Sequence, residues 1–229
     1  GGDLDISYTS AALISAGDHV LNVNGVDVVT VNDGATSAND GAILAGFTAD
    51  VEFDVADDAG ALISVMGTND AASYLTEANS ITVDNDGLGD RIVNANDGAV
   101  LAGFTADVDF DVVDTANAVA AEITGAGNGL GDLDEAADVV VASGDVDTAD
   151  AAAIQQISEY NASGSNYEIT DTAAAVIGAG NSVIENDGVS LVEVTNDATA
   201  AEGVSLNTYS ANVDSVSYTH LTLPTRSTV

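Results

Sequence analysis

Lysine is absent from the 229 residues and arginine occurs only at Arg91 and Arg226, against 38 aspartates and glutamates, giving a formal charge of −36. So acidic a chain repels nucleic acid and anionic membrane surfaces, because binding a phosphate backbone depends on Lys and Arg displacing its counterions. Cysteine is also missing, which removes disulfides and thiolate metal sites. Tryptophan is absent and aromatic residues make up 4% of the chain, so one thick core is not expected. Apolar runs stay below the roughly 18 residues that a membrane-spanning helix requires.

What is present argues for a folded chain. Hydrophobic residues reach 46%, much of it Ala and Val, whereas a disordered acidic tail would be poor in them. The chain opens at Gly1-Gly2-Asp3 without Met, so nothing can be read about a leader. At the other end, Val216-Ser217-Tyr218-Thr219-His220-Leu221-Thr222-Leu223-Pro224-Thr225 breaks with everything before it and holds the sole proline. It resembles the read-through translation of a sequencing-library adapter, and residues 216–229 are expected to be a non-native tail.

Internal repetition organises the rest. Residues 38–55, ANDGAILAGFTADVEFDV, recur at 95–112 as ANDGAVLAGFTADVDFDV, differing at Ile43/Val100 and Glu52/Asp109. Extended outward, Asp3-Leu4-Asp5-Ile6 aligns with Glu52-Phe53-Asp54-Val55, Asp109-Phe110-Asp111-Val112 and Asn166-Tyr167-Glu168-Ile169. Four units result, at 1–50, 51–107, 108–165 and 166–215. Each begins with an alternating acidic and apolar stretch, the period of a strand buried on one face. An Ala-rich segment follows (SAALISAG, DAGALISV, TANAVAAE, TAAAVIGA), which in three units is preceded by Asp57-Asp58, Asp114-Thr115 or Asp171-Thr172, residues suited to capping a helix. A second β-branched strand is expected around Val29–Val31, Ile81–Val83, Val139–Val141 and Val192–Val194. A second apolar segment comes next, such as GAILAGF at 41–47 or AAAIQQIS at 151–158. A unit this small cannot bury its own apolar face. The expected fold is therefore an α/β repeat solenoid with parallel strands and short Ala-rich helices, with an all-β solenoid or tandem β-sandwiches as the alternative.

The stretches Tyr167-Glu168-Ile169-Thr170-Asp171-Thr172-Ala173-Ala174 and Phe110-Asp111-Val112-Val113-Asp114-Thr115-Ala116 resemble the "DTAA" repeats of very long secreted bacterial proteins, often found with haemolysin-type calcium-binding repeats. That resemblance implies an extracellular or cell-surface setting and carries no catalytic residue. The glycine-rich nonapeptide of the calcium-binding repeats is not found, so their calcium-roll fold is not transferred.

Stacking the first strands in register gives two acidic columns, Asp3, Glu52, Asp109, Asn166 and Asp5, Asp54, Asp111, Glu168. Nearest-neighbour strands lie roughly 4.8 Å apart, where two unit charges in water repel by about 0.9 kcal/mol. The face is therefore expected to be open to solvent and stabilised by cations, either by Ca²⁺ held by Glu52, Asp54, Asp109 and Asp111 or by general screening. A second Ca²⁺ candidate is Asp84-Asn85-Asp86-Gly87-Leu88-Gly89-Asp90, which offers oxygen ligands from Asp84, Asp86 and Asp90 around a Gly turn. Asn128–Glu135 is a looser version. For both loops the plain alternative is that Asn, Asp and Gly make turns.

No enzyme is expected. Among 38 acidic residues some pair fits any glycosidase separation, His19 has no evident nucleophile partner, and Arg91 beside Asp90 suits an ion pair. The expected function is a structural repeat module, an extended arm or stalk of an adhesin-like surface protein, with neighbouring repeats, cations and cell-surface or matrix ligands as partners. A calcium-responsive binding module is the alternative, and an acidic carbohydrate-active enzyme a distant third.

Overall fold

The computed structural model describes residues 4–21, 26–67, 75–125, 133–211 and 213–215. Asp3, the first part of the 128–135 loop and the 216–229 tail lie outside the described residues. The architecture is α/β, with every registered strand pair parallel. Parallel neighbours require a crossover between them, and here the Ala-rich segments supply it as short helices rather than as further strands.

The chain divides into two compact units, residues 1–113 with 131–139, and residues 114–130 with 140–229. In the first, β1 (Leu4–Tyr8) leads to α1 (Ser10–Ala16) and α2 (Asp18–Leu21), then β2 (Val26–Val31) to α3 (Ala38–Ala45). β3 (Val51–Glu52) and β4 (Asp54–Asp57) precede α4 (Ala59–Gly67), and β5 (Ser80–Val83) and β6 (Ile92–Val93) precede α5 (Ala95–Ala102). β7 (Val108–Asp109) follows, and β8 (Asp111–Thr115) and β9 (Asp138–Ser143) have residues in both units, whereas α6 (Ala116–Thr124) belongs to the second. The second unit continues with β10 (Asp145–Val146), α7 (Thr148–Ile154), β11 (Tyr167–Asp171), α8 (Ala173–Ala179), α9 (Asn181–Ile184), β12 (Val189–Val194), α10 (Ala200–Leu206) and β13 (Val213–Ser215). The sheets are ordered β1-β2-β3, β4-β5-β7, β6-β8-β9 and β10-β11-β12-β13, so strands adjacent in the chain are mostly adjacent in the sheet.

Alternation along the strands places the core as the sequence pattern requires. Phe53, Val55, Phe110, Val112, Tyr167 and Ile169 are buried, whereas Glu52, Asp54, Asp109 and Glu168 between them are exposed. The helices contribute Leu13, Leu44, Leu62, Leu101, Val119, Ile154 and Val176 to the opposite side of each thin core. Full burial of such side chains stabilises by about 1.5–3 kcal/mol each.

The first strand of the middle repeats is not one strand. It breaks at Phe53, so that β3 closes the sheet behind it and β4 opens the next, and it breaks again at Phe110 between β7 and β8. Each aromatic sits buried at the step while its carbonyl accepts from the following layer, from Asn79 N–H and Ala137 N–H respectively, both at 2.8 Å. The helix above approaches closely enough to require glycine: a Cβ on Gly41 or Gly98 would lie 2.8 Å from a methyl of Val55 or Val112 and 3.3 Å from the Phe53 or Phe110 ring.

Neighbouring layers are joined through helix starts. Thr9, Ser37, Asn94, Thr115, Asp147, Thr172 and Thr199 each cap their own helix through the side chain. The first helical N–H is left over, and at five helix starts an Asp or Asn one layer further along the chain takes it. Ser10 N–H donates to Asp33 (2.9 Å), Ala38 to Asp57 (3.0 Å), Ala59 to Asn85 (3.3 Å), Thr148 to Asp171 (3.1 Å) and Ala173 to Asn196 (2.7 Å). In the Asp-Thr dipeptide the two residues therefore serve different helices. Thr172 caps α8 while Asp171 reaches back to α7, also accepting from the Thr148 hydroxyl at 2.7 Å. The small Ala173 that follows is fully buried at the turn.

One layer carries a defect. Thr36 bridges Val55 in the place that Val93 and Val146 occupy opposite Val112 and Ile169, and its buried hydroxyl has no partner. An unpaired buried hydroxyl costs about 1–3 kcal/mol. Thr36→Val is therefore expected to raise stability by about 1 kcal/mol in a denaturant melt, and a loss would show that the hydroxyl is satisfied in solution.

Candidate functional site

The Asp84–Asp90 loop is built on its own backbone. Asp84 accepts from Gly89 N–H at 2.9 Å, Asp86 from Leu88 N–H at 2.8 Å and from Asp90 N–H at 3.3 Å, and Asp90 from Ile92 N–H at 3.1 Å. Asn85 donates to the Ile92 carbonyl at 2.7 Å and its own N–H reaches the Asp90 carbonyl at 2.8 Å, closing the loop. Gly87 and Gly89, at φ 71° and 93°, supply the left-handed turns. The Gly89 amide, joined by those of Gly87, Asp86 and Leu88, holds the Asp84 carboxyl below the ordinary carboxylate range against a modest desolvation effect. The three carboxylates thus each meet backbone amides. Among the described residues no three or more His, Asp or Glu side chains converge as a metal ligand set.

Of the acidic strand residues Asp5, Glu52, Asp54, Asp109 and Glu168 are exposed and Asp111 is half-buried, but in the first unit they do not form the tight columns that the sequence suggested. A second strand lies between successive first strands, in the orders β1-β2-β3 and β4-β5-β7. The residues opposite the acids there are hydroxyls: Glu52 faces Thr30, Asp54 faces Ser80 and Asp109 faces Thr82. The Ser80 hydroxyl donates to Asp54 at 2.6 Å. Like charges on β1 and β3, or on β4 and β7, are therefore two strand spacings apart, about 9.6 Å, where repulsion in water falls to about 0.4 kcal/mol. The second unit differs, because Asp145 stands directly opposite Glu168 on the adjacent strand.

Asp109 and Asp111 meet at Arg91. Its guanidinium donates to both Asp109 oxygens at 2.6 and 2.7 Å and lies 3.1 Å from Asp111. Asp109 first, then the charge of Asp111, push the arginine pKa up. Asp90, its neighbour in sequence, instead serves the loop backbone. His19 is exposed on α2.

Sequence reasoning missed other ties. Asp18 accepts from the Thr48 hydroxyl at 2.8 Å and from the Thr48 and Ala49 amides at 2.7 and 3.2 Å, which lowers its pKa, the hydroxyl counting most. In the second unit the Tyr167 hydroxyl, fully buried where the earlier repeats have Phe, accepts from Gln155 at 2.8 Å, and burial drives its pKa upward. Only the Phe-to-Tyr change could have signalled it. No protein-family model, curated protein or solved structure matches the chain.

Two outcomes are expected from these charges. Arg91→Gln should destabilise by under about 1 kcal/mol in low salt, since the pair is partly exposed, and chemical denaturation with urea in molar NaCl should largely erase the difference. For Asp171, partial burial raises the carboxyl pKa, but hydrogen bonds from Thr148 and Thr172 outweigh it and leave the pKa lowered. Its stabilisation is therefore complete above the ordinary aspartate value of about 3.9 and is lost as pH falls through the lower folded value. Asp171→Ala should cost about 1–2 kcal/mol at pH 7. The gap from wild type should close below pH 4; a gap that persists there would mean the carboxylate form is not what caps α7.

Proposed function

We propose that the chain is a structural repeat module, a stretch of α/β solenoid serving as an extended arm or stalk of a large secreted or cell-surface protein of adhesin-like type. The observation that carries this reading is the recurrence of one cap between layers, Asp33, Asp57, Asn85, Asp171 and Asn196 each reaching the preceding helix. Recurring residues are invested in stacking, whereas a site for chemistry would break the repetition. Each unit is built by this rule, and further repeats of a parent chain can add by it. Its partners on this reading are neighbouring repeats and, at the tip of the arm, surface or matrix ligands.

A calcium-responsive binding module is the second reading, favoured by the Asp145–Glu168 juxtaposition, where like charges on adjacent strands gain from a bound cation. Thermal melts followed by circular dichroism separate the two, in low salt with chelator, with millimolar Ca²⁺, and with molar NaCl. A structural arm should give a cooperative melt with chelator present and respond to Ca²⁺ no more than to an equivalent ionic strength of NaCl. Folding that depends on Ca²⁺ alone would replace this reading with the calcium module.

A further inference from the structure

In the second unit, α10 and β13 present a surface whose counterparts in the first unit are covered by a further layer. β13 closes its sheet as β3 and β7 close theirs, with Val213 beside Val192 as Val51 is beside Val29 and Val108 beside Ile81. The helix before it corresponds as well. Thr199, Gly203 and Val213 stand at the same spacing as Ser37, Gly41 and Val51, or Asn94, Gly98 and Val108. Gly41 and Gly98 lie against the strand of the next layer, Phe53 with Val55 or Phe110 with Val112, too close for a Cβ. α10 keeps the glycine, turned inward and buried, although glycine weakens a helix, while Ser215 occupies the place of the aromatic residue. One position on, Val204 is 71% exposed, where Ala42 is half-buried and Ala99 is buried. α3 packs against both α1 and α4, whereas the main helical neighbour of α10 is α8.

We propose that α10 and β13 form a docking face for one further α/β repeat layer, whose leading strand has the pattern of Phe110-Asp111-Val112-Val113-Asp114: an aromatic residue, then an aliphatic one two places on and Asp four places on. This rests on the structural-arm reading and names the partner that the arm takes at this face. The interface continues one the molecule already contains, since β4 follows β3 and β8 follows β7 by the same step at a phenylalanine. The incoming aromatic seats against Gly203, the aliphatic residue packs beside it, and the first helix of the added layer covers Val204. A second copy of this chain is the poorer occupant. Its β1 offers Leu4 and Tyr8 at the places of the aromatic and the Asp, and it brings a second charge of −36.

The test uses the absence of cysteine. Val204→Cys creates a single thiol, and its labelling by a maleimide is followed in two proteins. One is the chain as it stands; in the other, residues 110–165 are repeated after Asp214 in place of residues 215–229, which keeps the register of the repeat. Labelling should be roughly tenfold slower or more in the extended chain, as for a site reached only by local opening. Ile43→Cys, on α3 at a position 46% exposed, should label at one rate in both proteins. Phe110→Ala with Val112→Ala in the appended copy alone should restore fast labelling of the thiol at 204, and protection that survives them would overturn the proposal. Circular dichroism should show the added helices. A lone repeat cannot bury its own apolar face, so an appended repeat that stays unfolded overturns the docking face, as does one that folds and leaves the thiol unprotected. Protection that grows with concentration in the chain as it stands would overturn the choice of occupant in favour of a second copy. The melts described above report on the whole chain and the labelling on one helix, so dependence on Ca²⁺ and an unused docking face are separate failures.

Discussion

The hydrogen bond from the first N–H of a helix to an Asp or Asn of the following layer is the contact on which the rest of the structure depends. A short helix in a thin α/β layer has little apolar surface to hold it and cannot persist alone. Its own cap satisfies one free amide, and the layer beyond satisfies the next. These five helix starts are therefore each tied both to their own turn and to the strand or turn that follows, through an Asp or Asn side chain. This is the physical content of the Asp-Thr-Ala sequence: an acceptor for the helix behind, a cap for the helix ahead, and a residue small enough to be pressed against the turn.

The same constraint accounts for part of the acidity. Asp33, Asp57, Asp147 and Asp171 accept from backbone amides at helix starts, Asp84 and Asp86 do so in a turn, and Asp18 on α2 does so from Thr48. These carboxylates do the work of amide acceptors, for which a lysine would be useless. On the strand face, Glu52, Asp54 and Asp109 have hydroxyl residues opposite them, and Asp109 and Asp111 share Arg91.

Much of this was legible in the sequence. The two-residue period marked the strands, the Ala-rich runs marked the helices, and the Asp-Thr pairs marked the helix starts, because each of these signals is local. What was not legible was always a partner. Asp57 and Asp171 read as caps of their own helices because nothing local says that the carboxylate turns backward. The acidic columns read as adjacent because a repeat defines equivalent positions without saying what lies between them. The break at Phe53 and Phe110 was hidden inside an unbroken alternation. For the Asp84–Asp90 loop, spacing alone does not distinguish carboxylates aimed at a common point from carboxylates folded onto their own amides.

The buried hydroxyl of Tyr167 bears on how a chain with two almost identical segments finds its way. The helices at 38–45 and 95–102 could each be mistaken for the other, since both carry glycine above a phenylalanine. Neither places a glutamine where Gln155 stands, so either would leave the phenol stranded away from water if it settled over Tyr167. One oxygen atom thus gives the pairing of α7 with β11 an address of its own.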